Sequence, residues 1–310
     1  MPRIVTLTLN PALDVSTAVE QVIDTRKLRC DTALRHPGGG GINVARVIER
    51  LGGDCMAVYL AGGPFGEELR RLVEAENVRG QCIEIAGETR ESFSVYEKST
   101  GRQFRFVLPG PTLAEAEWRG CIARLDAFDP PPSYLVLSGS LPPGVPDDIY
   151  ARLARSARSK GTRVVLDTSG PALRSALDAG VFLVKPSLGE LRELTGRPLA
   201  DEAEWKEAAL ALVHAGQAHT VVLTLGGLGA LLVSERAVLR APALSVPVAS
   251  AIGAGDSFLG ALIWALDRDA LLEDAFRYGL AAACASLLNA GTELCKKEDI
   301  ERLYRDIAIG

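Results

Sequence analysis

The 310-residue chain has only three histidines, His36, His214 and His219. That excludes a histidine-rich metal centre and argues against Ser-His-Asp hydrolysis. Its six cysteines, Cys30, Cys55, Cys82, Cys121, Cys284 and Cys295, are scattered, and no two are spaced as CxxC. Such spacing fits neither a zinc site nor a compact disulfide framework, and reduced, mostly buried thiols are expected. No run of about 18 apolar residues occurs, so no membrane-spanning helix is expected. The opening MPRIVTLTLNPALD has neither a long apolar core nor a small-residue cleavage site, so no signal peptide is read there and the expected compartment is the cytoplasm. Positive charge is not in excess: 34 Lys and Arg face 39 Asp and Glu, for a net charge of −5. That mild acidity supplies no basic field for nucleic acid or an anionic membrane, but it allows a local basic site for a small anion. There is no tandem repeat and no Ser/Gly linker. The densest breaker stretch, Asp129-Pro130-Pro131-Pro132, reads as a surface loop.

What is present is ordinary globular composition, 47% hydrophobic and 24% charged. The length allows two domains of roughly 150 residues or one large α/β domain. Short β-rich runs alternate with helical patterns. Ile4 to Leu9 and Met56 to Ala61 read as strands. Gly41 to Leu51 reads as a helix with Ile42, Ala45, Ile48 and Leu51 near one face, and Phe65 to Glu76 as another. Later strands are expected at Tyr134–Leu137, Val164–Asp167, Phe182–Lys185 and Val221–Leu225, with helices such as Asp148–Lys160 and Glu202–Ala215 between them. Beyond about Ser245, helices are expected over Gly253–Leu266, Leu272–Leu288 and Lys297–Asp306. The alternation argues for a mostly parallel sheet covered on both faces.

Two segments break the pattern. Lys27 to Pro37 is short and polar. Ser92 to Leu108 reads as a hairpin in which Ser92, Ser94 and Tyr96 alternate with Phe93, Val95 and Glu97, turning at Ser99-Thr100-Gly101. Together they suggest a small antiparallel sheet projecting from the main body. One of its faces is apolar and needs a partner, either a substrate cleft or a second subunit.

Three constellations could carry chemistry. Pro37-Gly38-Gly39-Gly40-Gly41-Ile42-Asn43 puts four glycines at a loop-to-helix junction, where the backbone can pass close to a ligand. Its spacing is neither a dinucleotide fingerprint nor a P-loop, and the bland alternative is a flexible turn. Asn43 and Asp14 could bond sugar hydroxyls, and Asp14 equally suits a turn or cap. Ser250-Ala251-Ile252-Gly253-Ala254-Gly255-Asp256-Ser257 precedes an apolar helical run, offering backbone N–H groups and a positive dipole end to an anion. A carboxylate there suits a base acting beside those N–H groups, although Asp is also a common N-cap. Lys185-Pro186-Ser187-Leu188-Gly189-Glu190 follows a strand. Its Glu190 could reach Mg²⁺ or simply complement a helix dipole. Thr224-Leu225-Gly226-Gly227-Leu228-Gly229 could make room for a nucleotide or be a strand-end turn. Arg90 and Arg105, on the flap, could hold a sugar phosphate or face solvent.

In this order, PGGGGINVA (Pro37 to Ala45), Asp167-Thr168-Ser169-Gly170, KPSLGE, TLGGLGA and SAIGAGDSFLGA resemble the motifs of the ribokinase-like, or phosphofructokinase-B, family of sugar kinases. The resemblance runs from about Ile4 to Tyr304. Lys27-Leu28-Arg29-Cys30, the stretch from Ser138 to Gly144, and Asn289-Ala290-Gly291-Thr292 point within the family toward kinases of fructose 6-phosphate. Kinases of fructose 1-phosphate or tagatose 6-phosphate are the near alternatives, and a non-catalytic sugar-phosphate or nucleotide sensor the remote one.

The resemblance implies a single three-layer α/β/α kinase domain over residues 1–310, with lid segments at about 26–37 and 90–108 and a homodimer formed through the lid. It implies that Asp256 deprotonates the acceptor hydroxyl and that Gly253, Ala254 and Gly255 form an anion hole for the γ-phosphoryl of ATP. Asp14, Gly39, Gly40 and Asn43 would hold the sugar, with Arg90 and Arg105 near its phosphate. Lys185, Ser187, Thr224, Gly226 and Gly229 would line the ATP site, and Lys27 would reach the partner subunit's site. Glu190 would serve Mg²⁺. Ser250, Ile252, Ser286, Asn289 and Gly291 match positions where relatives hold K⁺, largely through carbonyls. Two departures stand out. The family's Asn-x-x-Glu is here Ser187-x-x-Glu190, and Glu293 stands where near relatives tend to carry a basic residue.

Overall fold

A computed structural model describes residues 2–310. In chain order its strands are β1 (Ile4–Thr8), β2 (Ala12–Val19), β3 (Leu34–Gly38), β4 (Cys55–Ala61), β5 (Arg79–Glu84), β6 (Arg90–Glu97) and β7 (Gln103–Val107). There follow β8 (Tyr134–Ser138), β9 (Arg163–Asp167), β10 (Val181–Val184), β11 (Ala218–Thr224), β12 (Ala230–Ser234) and β13 (Val238–Ala241). The helices are α1 (Gly40–Arg50), α2 (Gly63–Ala75), α3 (Glu115–Asp126), α4 (Ile149–Ser159) and α5 (Gly170–Asp178). They continue with α6 (Leu188–Thr195), α7 (Glu202–His214), α8 (Ala254–Asp267), α9 (Leu272–Ser286) and α10 (Lys297–Tyr304).

Nine strands form the main sheet in the order β13-β12-β11-β10-β9-β8-β1-β4-β5. The run from β11 through β5 is parallel, whereas β12 and β13 are antiparallel. Successive side chains of each strand feed opposite cores. Ile4, Ala57, Val136 and Val165 pack with α1, α2, α8, α9 and α10, while Val5, Leu7, Val58, Leu137 and Leu166 pack with α3 to α7. Covering both faces is why the central strands read as continuous apolar runs. This is the expected three-layer arrangement. Strands β2, β5, β12 and β13 were not anticipated from the sequence. The edge strand β5 (RGQCIE) has too few apolar residues to announce itself.

The small sheet, β3-β2-β6-β7, corrects one expectation: it is mixed rather than antiparallel. Strands β2 and β6 pair in parallel, and only β3 and β7 are antiparallel to their neighbours. The reason is topological. Strand β2 leaves the carboxyl end of β1 and β6 leaves the carboxyl end of β5, so both rise in the same direction. The 26–37 segment contributes only its last four residues, 34 to 37, to β3, and residues 12–19 form the missing central strand.

From β1 the chain winds one way to β4 and β5 and the other way through β8 to β11. Connections therefore diverge between β1 and β8, which opens a crevice at their carboxyl ends, where ligands bind in sheets of this type. The small sheet overhangs that crevice. Among the described residues, no helix is long and apolar enough to cross a membrane.

Helices α1 and α8 approach closely at Gly260. A Cβ there would lie 2.8 Å from Val47 Cβ and 3.0 Å from the Val44 carbonyl. The backbone carbonyl cannot yield cheaply, so Gly260→Ala is expected to destabilise the fold by about 1–3 kcal/mol. A urea melt should show a lower midpoint at an unchanged slope. An unchanged midpoint would show that the two helices separate at little cost.

Candidate functional site

The crevice is a cleft of about 510 Å³, the size of a small-ligand pocket. At its floor, α8 begins after Gly253, which has a left-handed backbone (φ 79°). The first N–H groups of a helix have no partner within it. Those of Gly253, Ala254 and Gly255 donate to no group among the described residues, and Gly253 and Gly255 line the cleft. Asp256 sits in the same first turn. Its Oδ2 accepts a 2.8 Å hydrogen bond from Asn43 Nδ2. Burial pushes the Asp256 carboxyl above its ordinary value, against the Asn43 bond and the Lys185, Arg105 and Arg46 charges.

Lys185 follows β10 and is buried. Its ammonium lies 3.0 Å from the carboxylate of Asp167, the last residue of β9. It also lies 3.2 Å from where a Cβ on Gly255 would be, which puts a cation beside the first turn of α8. Burial pushes Asp167 up to about 6, with Lys185 pulling it down and Asp256 adding to the rise. Sequence reasoning assigned Asp167 no role, although it opens one of the quoted motifs.

Asp14 lies on β2 and is buried beneath the small sheet. A Cβ on Gly38 would collide with its carboxylate, and one on Gly40 with Ser138 Oγ. The glycine run is therefore a close-approach device that lets β3 and the start of α1 press against the cleft wall. Burial pushes Asp14 up to about 6, opposed chiefly by Arg105 and Arg46. Ser138 Oγ is buried without a hydrogen-bond partner and lines the cleft, as do Gly39, Gly40, Gly139 and Ser140.

The two flap arginines differ. Arg90 donates to the carbonyls of Asn10 (3.0 Å), Pro11 (3.4 Å) and Leu108 (3.0 Å), so it straps the flap to the body and retains only part of its fork for a ligand. Arg105 lines the cleft, and its guanidinium makes no hydrogen bond among the described residues. Strand pairing places Asp14 beside Ser92, and Ser94 beside Arg105, on one face. Val15, Phe93, Phe106, Val95 and Phe104 occupy the other. The polar face meets the cleft, and the apolar face looks away, with Phe106 55% exposed.

The remaining expected residues are less concentrated. Ser187 caps α6: its Oγ accepts from the Glu190 amide, while Glu190 Oε2 accepts from the Ser187 amide (2.7 Å) and hydroxyl (2.9 Å). Glu190 still lines the cleft, and its second carboxylate oxygen suits a divalent ion carried in by a nucleotide. Thr224 ends β11 beside Ser187, and Gly226 begins the turn after it. Gly229 has a different basis: a Cβ there would strike the Ala241 carbonyl, so packing against β13 demands glycine. Ser250 is bonded to Gln103, and the Ser250 amide contacts the Leu287 carbonyl, which joins this segment to Ser286, Asn289 and Gly291. The carbonyls of Ser250, Ile252, Asn289 and Gly291 accept no hydrogen bond among the described residues, a neutral donor set that fits a monovalent cation. Lys27 is exposed on the segment between β2 and β3, outside the cleft of its own chain.

The chain matches the profile of the pfkB family carbohydrate kinases over residues 8–299 and belongs to that family. It is 45% identical over 303 residues to the ATP-dependent 6-phosphofructokinase isozyme 2 of Mycobacterium tuberculosis, covering 98% of this chain and 89% of that one. It is 41% identical over 305 residues to the protein of the same name from Escherichia coli, covering 98% of each. The structure of that phosphofructokinase-2 with fructose-6-phosphate superposes with a TM-score of 0.93 over 99% of both chains, and a potassium complex does so equally. The 1-phosphofructokinase of Bacillus subtilis is 30% identical over 306 residues, covering 99% of each chain.

Asp14 generates a stability prediction. Its folded value of about 6 exceeds the ordinary 3.8, so the native state holds this proton more tightly than the unfolded chain. The carboxylate then costs stability above about pH 6, and the cost disappears below about pH 4. Asp14→Asn is expected to stabilise the fold by on the order of 1–3 kcal/mol at pH 7.5, read as a higher Tm, with the gain fading as pH falls toward 4. A gain of equal size at pH 4 would assign it another cause.

Proposed function

We propose that this pfkB-family kinase transfers the γ-phosphoryl group of ATP to the 1-hydroxyl of D-fructose 6-phosphate, giving ADP and fructose 1,6-bisphosphate. The observation that carries the reading is the gathering, in one cleft, of a buried carboxylate, free helix-start amides and an arginine whose guanidinium has no hydrogen-bond partner among the described residues. Asp256 removes the hydroxyl proton as the oxygen attacks. The amides of Gly253, Ala254 and Gly255, with Lys185 beside that turn, receive the charge of the phosphoryl group. Phosphoryl transfer depends mostly on such positioning and charge stabilisation.

Asp14, Gly39, Gly40 and Ser138 hold the sugar hydroxyls, and Arg105 with the remaining N–H groups of Arg90 holds the 6-phosphate. Asn43 serves the base more than the sugar, because its amide is already shared between Asp256 and Arg46. Thr224 and Gly226 flank the nucleotide, and Ser187 acts through Glu190. Mg²⁺ would be met by Glu190 and would neutralise phosphate charge when bound. K⁺ would rest on the carbonyls near Ser250, Ile252, Ser286, Asn289 and Gly291. Lid closure would keep water from the phosphoryl group. Residues 1–310 act as one kinase domain with its lid, in the cytoplasm where both substrates occur.

The relatives named as 6-phosphofructokinases support fructose 6-phosphate over fructose 1-phosphate, since their identity to this chain is higher. The apolar outer face of the lid supports dimerisation between lids, because the inner face already meets the cleft. Lys27 would then lie near the partner subunit's cleft.

The direct test is ADP release with Mg²⁺ and K⁺ across fructose 6-phosphate, fructose 1-phosphate, tagatose 6-phosphate and fructose. A kcat/KM at least about tenfold higher for fructose 6-phosphate is expected, roughly 1.4 kcal/mol of discrimination. Preference for another sugar would reject the substrate assignment. Asp256→Asn is expected to lower kcat by about 10²-fold or more with KM little changed, and a near-normal rate would remove Asp256 from the role of base. For the lid, Phe106→Asp is expected to convert a dimer to monomer in light scattering, and an intact Phe106→Asp dimer would place the interface elsewhere.

A further inference from the structure

Arg46 is wholly buried on α1, three residues beyond Asn43, with Glu76 and Arg50 packed around it. Nothing in the proposed chemistry uses this cluster, and a buried guanidinium is costly unless it is paired and hydrogen-bonded. Glu76, just past α2, supplies the pairing. Its Oε1 lies 2.5 Å from Arg46 Nη2, and its Oε2 lies 2.8 Å from Arg50 Nη2. Burial pushes Glu76 up, but the two arginines outweigh it and hold the carboxyl below its ordinary value.

The hydrogen bonds of Arg46 Nη1 point to a role. It donates to Asn43 Oδ1 (3.2 Å), to the Pro37 carbonyl (3.2 Å) and to the Thr292 carbonyl (3.0 Å). Arg50 Nη1 donates to the carbonyls of Glu293 (2.5 Å) and Cys295 (3.0 Å). The two guanidiniums thus bind α1 to the glycine run on one side and to the segment after α9 on the other.

A guanidinium can only donate, so the group facing it must be the oxygen of the Asn43 amide. The amide nitrogen is then forced toward Asp256, where it makes the 2.8 Å bond to Oδ2. With the amide reversed, its oxygen would face the Asp256 carboxylate and its nitrogen would face Arg46, leaving two donors opposed and two acceptors opposed.

We propose that Arg46, neutralised by Glu76, is a positioning residue that fixes the Asn43 amide so that one oxygen of Asp256 is held and the other is left to take the acceptor proton. Arg46 acts chiefly through Asn43, because its own charge is the weakest of the named influences on Asp256. The proposal rests on the reading of Asp256 as the base.

The test is a double-mutant cycle on the full-length protein with fructose 6-phosphate and MgATP, measuring kcat and both KM values. Arg46→Met is expected to lower kcat about tenfold or more while both KM values change less than about threefold. That split marks an effect on the reacting groups rather than on binding. In an Asn43→Ala background the same substitution is expected to lower kcat by less than about twofold, because the residue it acts through is gone. A purely packing role would lower the fraction of folded protein by the same factor in both backgrounds. Multiplicative losses in kcat therefore overturn the proposal, as does a rise in KM at constant kcat. If Arg46→Met fails to fold, Arg46→Lys takes its place. Lysine keeps a charge opposite Glu76 but cannot reach Asn43, Pro37 and Thr292 together, and the same cycle is expected. Asp256→Asn separates the two claims. Retained kcat there sinks the base assignment and the relay with it. Lost kcat with a multiplicative cycle sinks the relay alone.

Discussion

Three carboxylates taken out of water into one cleft set the terms for the rest of this structure. Asp14, Asp167 and Asp256 each carry a desolvation cost, and the Asp256 charge adds to the cost of the other two. The fold answers with a donor or cation from a different element for each. Lys185 from the end of β10 meets Asp167, Asn43 from α1 meets Asp256, and Arg105 from β7 faces Asp14. Because those elements come from both halves of the sheet and from the lid, the polar groups that make the site also tie its parts together. The protein carries this cost so that charge can be handled without water at the moment of reaction.

The small sheet serves two purposes because of strand alternation. One row of side chains, including Asp14, Ser92, Ser94 and Arg105, faces the cleft, and the intervening row, Val15, Phe93, Val95, Phe104 and Phe106, faces away. A shift of one residue in register would exchange the two faces and lose both. The parallel pairing of β2 with β6 locks the register by joining strands that emerge from β1 and β5. Arg90 adds a strap between the lid and the turn after β1, so its position reflects lid anchorage as much as phosphate binding.

Much of this was legible from residue order. The alternation of apolar strands and amphipathic helices announced a covered parallel sheet. The Ser92–Leu108 pattern marked a hairpin with one polar and one apolar face, and the glycines before Asn43 and before Asp256 marked two places of close approach. The resemblance to sugar kinases then joined those places into one site. Other features left no local trace. Strand β2 follows Asn10-Pro11 and carries Asp14, which equally suits a turn, and its partners in β6 lie 78 positions away. Gly229 resembles a nucleotide turn but is required by the Ala241 carbonyl. Arg46 and Glu76 look like ordinary surface charges on and just past two helices, and only the tertiary fold brings Glu76 and the segment after α9 to α1, burying Arg46 and partly burying Glu76.

The sequence by itself determined the local grammar: which segments are strands and helices, where glycine must stand, and which residue types could take a proton or hold an anion. Those properties depend on neighbours a few positions apart, through periodicity, capping and backbone freedom. Tertiary structure alone decided which charges are desolvated, that Asn43 turns its nitrogen to Asp256, that Arg105 is free while Arg90 is engaged, and which face of the lid is left apolar. Those properties depend on distances between groups far apart in the chain, and electrostatic energies in a buried cleft follow distance and burial rather than residue order.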